Sequence, residues 1–161
     1  MSSCDVILLP TDFSQDSDQA FELACSVARD QVASLVVVHV LSPETWPAHV
    51  PKAGPINEAS PVVLDCRQQF KQLNARAADI PISFRIVSGH AVGAIIEVAH
   101  DEHADLIVIA SHQHSRFHEQ LHGSVAEGLL RQSHCPLMVL RQPTKRSVNP
   151  PSPQTNTPQK P

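Results

Sequence analysis

The amino-acid sequence predicts an α/β fold, an open five-stranded parallel sheet with helices on both faces. Short, continuously apolar runs alternate with segments of helical periodicity, a pattern typical of strand–helix–strand crossovers. The strands are rich in Val, Ile and Leu, as expected for a sheet that is buried on both faces. Aromatic residues make up only 4% of the chain and Tyr is absent, so the predicted core is aliphatic.

The first elements are a strand, a helix and a second strand. Residues 6–9 form an apolar strand closed by Pro10, and Ser14 opens a helix whose apolar residues recur at helical spacing. Residues 35–41 are a second, largely apolar strand. Residues 42–61 contain five prolines, so we expect an extended, irregular loop between this strand and the next helix.

The rest of the folded part alternates helices and strands. In order, the pattern predicts helix 62–78, strand 82–87, helix 91–103, strand 106–109, helix 123–133 and strand 136–140. The strand at 82–87 alternates apolar and polar residues, which favours a place near an edge of the sheet.

The predicted elements lie in one domain, residues 1–141, and residues 142–161 form a tail. Six prolines follow Arg141, and Val148 is the one large apolar side chain beyond it. Such a segment cannot bury a core, so we expect a disordered, Pro-rich, basic tail.

Charge and composition argue against several functional classes. All sixteen acidic residues precede residue 141, whereas four of the twelve basic residues follow residue 140, so the body is acidic. Nucleic-acid surfaces need clustered Lys and Arg, and no apolar run reaches the roughly 18 residues of a membrane span. The N-terminus does not resemble a signal peptide, and the four scattered cysteines form no disulfide framework or zinc module. We expect a cytoplasmic protein with reduced thiols that binds neither nucleic acid nor a membrane.

A small-molecule site is expected where strands end and helices begin, at segments 10–14 and 110–124. Gly123 and Ser124 open a helix and suit either anion binding or a simple turn and cap. Asp12 follows the first strand, where it can accept hydrogen bonds from a ligand or cap the next helix.

Histidines cluster in the second of these segments. His112, His114, His118 and His122 fall within eleven residues. His118 and His122 have a spacing used by metal ligands, but no third and fourth ligand of fixed geometry accompanies them, so we predict no metal site and favour solvated histidines. The sequence also lacks the GxSxG, HExxH, Walker and GxGxxG motifs, and no catalytic residue is predicted.

Two separated segments resemble the universal stress protein family. The first is ILLPTDFS at residues 7–14 with the helix that follows. The second comprises DLIVIASH at 105–112, GSVAE at 123–127 and CPLMVL at 135–140, and Ser88-Gly89 also fits. The resemblance covers residues 4–141 and implies an adenine nucleotide alpha hydrolase-like, Rossmann-like fold. It also implies a homodimer paired through the last strand, Leu137 to Leu140.

One branch of this family binds ATP through an Asp after the first strand, a Val ending the second, and a G-x2-G-x9-G-[ST] loop. Asp12, Val40, Gly123 and Ser124 match these positions, whereas Ala110 and Gln113 stand at the first two glycines. A methyl at position 110 is tolerated where the backbone is extended. Gln113 is the greater departure, because glycine permits positive φ and close approach of a phosphate. His114, His118 and Arg116 can offset part of that loss with charge.

The resemblance therefore implies two functions. The first is a non-catalytic stress-response regulator that acts as a homodimer on an unknown protein partner, and the alternative is an ATP or AMP sensor that uses ATP with Mg²⁺. Two weaker alternatives are ATP hydrolysis, for which no general base or pair of metal-binding carboxylates is placed near Gly123, and a metal-responsive role for the histidines. The implied nucleotide-contacting residues are Pro10, Thr11, Asp12, Val40, Ala110, Ser111, His112, Gln113, Arg116, Gly123, Ser124 and Val125.

Overall fold

A computed structural model describes residues 3–42, 56–111 and 125–141, and these residues form the strands and helices that the sequence predicts. In chain order the elements are β1 (Val6–Pro10), α1 (Gln15–Gln31), β2 (Ser34–Leu41), α2 (Pro61–Arg76), β3 (Ile82–Ser88), α3 (Ala91–Asp101), β4 (Leu106–Ser111), α4 (Val125–Gln132) and β5 (Leu137–Arg141).

The strands form one parallel sheet in the order β3-β2-β1-β4-β5. The predicted fold class is confirmed, and β3 lies at an edge as its alternating pattern indicated. The chain moves outward from β1 to β3 on one side and from β4 to β5 on the other. The crossover direction therefore reverses between β1 and β4, where parallel sheets of this type open a crevice at their carboxyl ends.

Both faces of the sheet are covered, which explains the continuously apolar strands. Ile7 and Leu9 of β1 pack into a core cluster with α1 and α2, whereas Leu8 packs into a second cluster with α3 and α4. All three side chains are fully buried. Successive strand residues point to opposite faces, so a strand between two helical layers needs apolar residues at every position.

The helix α1 begins as the sequence indicates. Ser14 is the N-cap, and its hydroxyl accepts a hydrogen bond from the Ser17 N–H at 3.2 Å. Asp16 and Asp18 lie in the first turn, where carboxylates interact favourably with the helix dipole. This cap fixes the direction in which the chain leaves β1, and with it the turn at residues 11–14.

Several helix boundaries differ from the prediction by a few residues. α2 ends at Arg76 and not at residue 78, and α3 ends at Asp101 and not at residue 103. His103 adopts a left-handed conformation with φ 52°, which a continuing helix does not allow. The described part of α4 begins at Val125. Most of the Pro-rich loop (residues 43–55), the segment 112–124 and the tail lie outside the described residues.

Candidate functional site

The turn after β1 is held to β2 and to α1 by hydrogen bonds from Thr11. Its N–H donates to the Val38 carbonyl at 2.9 Å, which extends the β1–β2 pairing by one residue. Its hydroxyl accepts from the Phe13 N–H at 3.0 Å and donates to Ser17 Oγ at 3.1 Å. Main chain and side chain of Thr11 are therefore both fixed, and the next residue leaves the sheet in a defined direction.

An aromatic cluster supports this turn from the α2 side of the sheet. Phe13 has a left-handed backbone with φ 58°, and its ring lies 4.8 Å from the His39 ring and 5.3 Å from the Phe70 ring, measured between centroids. His39 Nδ1 also donates to the Thr11 carbonyl oxygen at 2.8 Å. A left-handed non-glycine residue costs on the order of 1 kcal/mol, which these contacts offset.

Asp12 is exposed at the carboxyl end of β1, at the reversal between β1 and β4. Its Oδ1 accepts a hydrogen bond from the Ser14 N–H at 3.0 Å, which closes an Asx turn. The helix cap is Ser14, so the interpretation of Asp12 as the cap is wrong. Its carboxylate is instead held by the N–H of the cap residue, at the end of the sheet where ligands bind in this architecture.

Val40 and Ala110 border the same end of the sheet from the two neighbouring strands. Val40 is partly buried near the end of β2 and packs with the α3–α4 cluster. Ala110 lies in β4, opposite Leu140 of β5, and is only 7% exposed in the α1–α2 cluster. Since the backbone is extended and the methyl packs in the core, alanine fits this position without obstructing the carboxyl end.

Of the other residues predicted to contact the nucleotide, some lie within the described ranges and some outside them. Pro10 is the buried last residue of β1, Ser111 is the partly buried last residue of β4, and Val125 is the exposed first described residue of α4. The remaining ones lie outside the described residues: His112, Gln113, Arg116, Gly123 and Ser124, with His114, His118 and His122.

His39 is the residue of this site that the sequence analysis missed. It sits directly before Val40 in a strand whose other residues from 35 to 41 are aliphatic. A lone imidazole in such a strand needs a polar partner, since burying an unpaired polar group costs free energy. The position of His39 therefore indicates that it has a polar partner. The sequence does not indicate which one, because the acceptor is a main-chain carbonyl oxygen.

Cys25 and Cys66 are buried in the core cluster between the sheet and the helices α1 and α2. Burial raises the pKa of the Cys25 thiol to about 11 and also raises the pKa of the Cys66 thiol. Because the thiolate is the nucleophilic form, neither sulfur suits nucleophilic catalysis near neutral pH.

Within residues 3–42, 56–111 and 125–141, no group of three or more His, Cys, Asp or Glu side chains could hold a metal ion. The four clustered histidines lie outside these ranges. Over the same ranges, no helix has both the length and the apolar character needed to cross a membrane.

The strand order defines a Rossmann-like α/β domain, and the polar turn at Asp12 lies at its β1–β4 reversal, where ligands bind in this architecture. A model of the universal stress protein family matches residues 4–141, so the chain belongs to that family. A universal stress protein of Methanocaldococcus jannaschii is 28% identical over 142 residues, covering 86% of this chain and 83% of that protein.

Solved structures of the family share this fold. A universal stress protein in complex with cAMP is 24% identical with a TM-score of 0.65, over 87% of this chain and 98% of that one. A universal stress protein of Archaeoglobus fulgidus in complex with dAMP is 17% identical with a TM-score of 0.60, over 86% of this chain and 98% of that one.

Proposed function

We propose that this chain is a non-catalytic stress-response regulator that binds an adenine nucleotide at the carboxyl ends of β1, β2 and β4. The observation that carries the proposal is the exposed Asp12 carboxylate, oriented at the β1–β4 reversal by the Ser14 N–H. The cAMP and dAMP complexes of two family members support an adenine nucleotide as the class of ligand.

Different residues of the site contact different parts of the nucleotide. Asp12 accepts hydrogen bonds from ribose hydroxyls or from the base amine, and Val40 provides an apolar contact for the adenine ring. Ala110 leaves room, because its methyl packs into the core. Gly123 and Ser124 would contact phosphate through main-chain N–H groups and a hydroxyl, and Mg²⁺ bound with ATP would neutralise phosphate charge.

Gln113 sets the expected strength of phosphate binding. In the ATP-binding branch a glycine stands at this position, and a side chain there opposes positive φ and close approach. Each 1.4 kcal/mol lost weakens affinity about tenfold. We therefore propose that the ligand is held mainly through its adenosine part. Gln113 in place of glycine should then weaken the binding of AMP less than the binding of ATP.

A homodimer that binds a protein partner without nucleotide is the second candidate. Among the described strands β5 is the outermost on its side of the sheet, and its Met138 and Val139 are 37% and 36% exposed. A partly exposed apolar edge strand favours pairing with another strand. We propose β5–β5 pairing between two copies of the domain 1–141, in the cytoplasm, with the tail 142–161 as a separate Pro-rich segment.

Calorimetric titration of AMP and of ATP with Mg²⁺ tests the first candidate. The natural protein, the Gln113→Gly variant and the Asp12→Ala variant are compared. We expect AMP binding in the natural protein, tighter ATP binding in Gln113→Gly, and loss of both in Asp12→Ala. No binding in the natural protein with binding in Gln113→Gly would leave the partner-binding dimer as the function.

Sedimentation velocity tests the second candidate separately. We expect a dimer for the natural protein and for a variant lacking residues 142–161, and a monomer for Val139→Arg. A natural protein that stays monomeric at high concentration would exclude β5 pairing without affecting the nucleotide proposal.

A further inference from the structure

The outer edge of β3 carries main-chain groups with no strand beside them among the described residues. The Pro81 carbonyl accepts from the Leu35 N–H and the Gly89 N–H donates to the Leu41 carbonyl, so odd-numbered residues here pair with β2. In a parallel strand the N–H and C=O of one residue point to the same side and alternate along the chain. The N–H and C=O groups of Ile82, Phe84 and Ile86 therefore point outward.

A groove of about 770 Å³ runs beside this edge, between β3 and α2. The Phe70 and Phe84 rings lie 4.6 Å apart between centroids at its base, and Leu64 of α2 is 55% exposed along its wall. Gln68 and Lys71 follow Leu64 at intervals of four and three residues, so all three lie on one face of α2. The groove is thus apolar at its base and polar at its rim.

Lys71 brings to the groove a positive charge that no carboxylate of the described residues pairs with. Among the described residues, the other basic side chains except Arg141 pair with a carboxylate. Arg67, which also lines the groove, pairs with Glu58. Lys71 has no such pair in the described part of the chain and is exposed. In an otherwise acidic body, this is a local preference for a negatively charged group.

We propose that this groove binds an extended segment of another protein that carries apolar and acidic side chains. The segment pairs with the outward N–H and C=O groups of β3 and extends the sheet by one strand. Its apolar side chains contact Leu64 and Phe84, and its carboxylate pairs with Lys71. Main-chain pairing supplies affinity in such strand addition, and the side chains entering pockets supply selectivity.

This surface is independent of the two functions proposed above. Asp12 and Val40 lie at the carboxyl ends of central strands, and Val139 lies on the opposite edge of the sheet. Neither nucleotide binding nor β5 pairing uses Leu64, Lys71 or the outer edge of β3. A failure of one proposal is therefore distinguishable from a failure of the other.

Peptide titration of the full chain, labelled with ¹⁵N and followed by NMR, tests the proposal. The probe is the heptapeptide acetyl-Thr-Val-Thr-Glu-Thr-Val-Thr-amide, and its counterpart carries Lys in place of Glu. We expect the acidic peptide to shift the amide signals of Ile82, Phe84 and Ile86 at millimolar concentration. The signals of Thr11 and Asp12 should stay in place, and the basic peptide should bind more weakly.

Two charge reversals form a matched pair of variants. Lys71→Glu should weaken the acidic peptide about fivefold, as expected for reversing a solvent-exposed ion pair. Arg141→Glu makes the same change of charge at the opposite edge and should leave the peptide affinity unchanged. Both side chains are exposed, so both variants should fold, and the dispersion of the amide signals checks this directly.

Three results would overturn the proposal. The first is no shift at the β3 amides at millimolar peptide. The second is protection of the Ile82, Phe84 and Ile86 amides from hydrogen exchange in the free, dilute protein, which would mean that the chain covers its own edge. The third is a shift of these signals with protein concentration alone, which would assign the edge to a second copy.

Discussion

His39 Nδ1 lies 2.8 Å from the carbonyl oxygen of Thr11. A carbonyl oxygen only accepts, so Nδ1 carries the hydrogen, and a neutral imidazole then has its acceptor at Nε2. The same ring packs against Phe13 at 4.8 Å. One side chain of β2 therefore fixes both the main chain before Asp12 and the left-handed residue after it.

Replacing His39 is expected to destabilise the protein and to weaken the nucleotide site. His39→Ala removes one hydrogen bond and one ring contact and should lower the free energy of unfolding by about 2 kcal/mol. His39→Asn retains a donor near Nδ1 without the ring and should recover about half of that loss. Urea unfolding measures stability, and AMP titration measures the effect on binding.

His100→Ala is the matched control, because the His100 side chain is 86% exposed. Its effect on stability should stay within about 0.5 kcal/mol. Equal losses in His39→Ala and His100→Ala would contradict the role assigned to the Thr11 hydrogen bond.

The fold could be predicted because its signal is local. Most strands are marked by a short apolar run and β3 by alternation, each helix has apolar residues at helical spacing, and parallel crossovers leave few alternative topologies. The site could be predicted only in part. Asp12 and Val40 follow from motif positions, whereas the contact between His39 and Thr11 joins residues 28 apart through a main-chain atom. The C-terminal boundaries of α2 at Arg76 and of α3 at Asp101 depend on backbone conformations that the residue types there do not enforce.

The helices α3 and α4 pack closely at Gly128, because glycine has no side chain there to meet Val92. A Cβ built on Gly128 would lie 2.6 Å from Cγ2 and 3.3 Å from Cγ1 of Val92. Because a β-branched side chain has few rotamers, Val92 cannot simply turn away. Gly128→Ala should therefore destabilise the protein by about 2 kcal/mol, measured by urea unfolding.

Gly93→Ala provides the comparison, since a Cβ on Gly93 meets no atom within 4 Å outside its own helix. It should stabilise the protein by about 0.5 kcal/mol through helix propensity. The double variant Gly128→Ala with Val92→Ala should recover part of the loss. A neutral Gly128→Ala would mean that the two helices separate more easily than the structure indicates.

Val32 should be replaceable with a gain in stability. It ends α1 in a left-handed conformation with φ 56°, and its side chain is 92% exposed. Glycine adopts this conformation without the steric cost of a β-branched residue, and Val32 buries almost nothing that could be lost. Val32→Gly should raise the free energy of unfolding by about 1 kcal/mol.

The comparison for this change is Val27→Gly, in the middle of the same helix. There the backbone is helical and Val27 packs against the core. Glycine should therefore lower the free energy of unfolding by more than 1 kcal/mol, because its low helix propensity costs about 1 kcal/mol and the lost packing adds to that. If both glycines destabilise, the left-handed conformation at Val32 is not a source of strain.

The Cys25 thiol should make stability fall at alkaline pH. Burial raises its folded-state pKa to about 11, while an unfolded chain has the ordinary value near 9. Between these values the unfolded state has lost its proton and the folded state retains it, so the folded state loses stability as pH rises from about 9 to about 11. The slope should approach 1 kcal/mol per pH unit in urea unfolding.

In Cys25→Ala this part of the slope should vanish, whatever the variant's stability at neutral pH. An unchanged slope would mean that the thiol is solvated in the folded protein, because desolvation is the largest cause of its raised pKa.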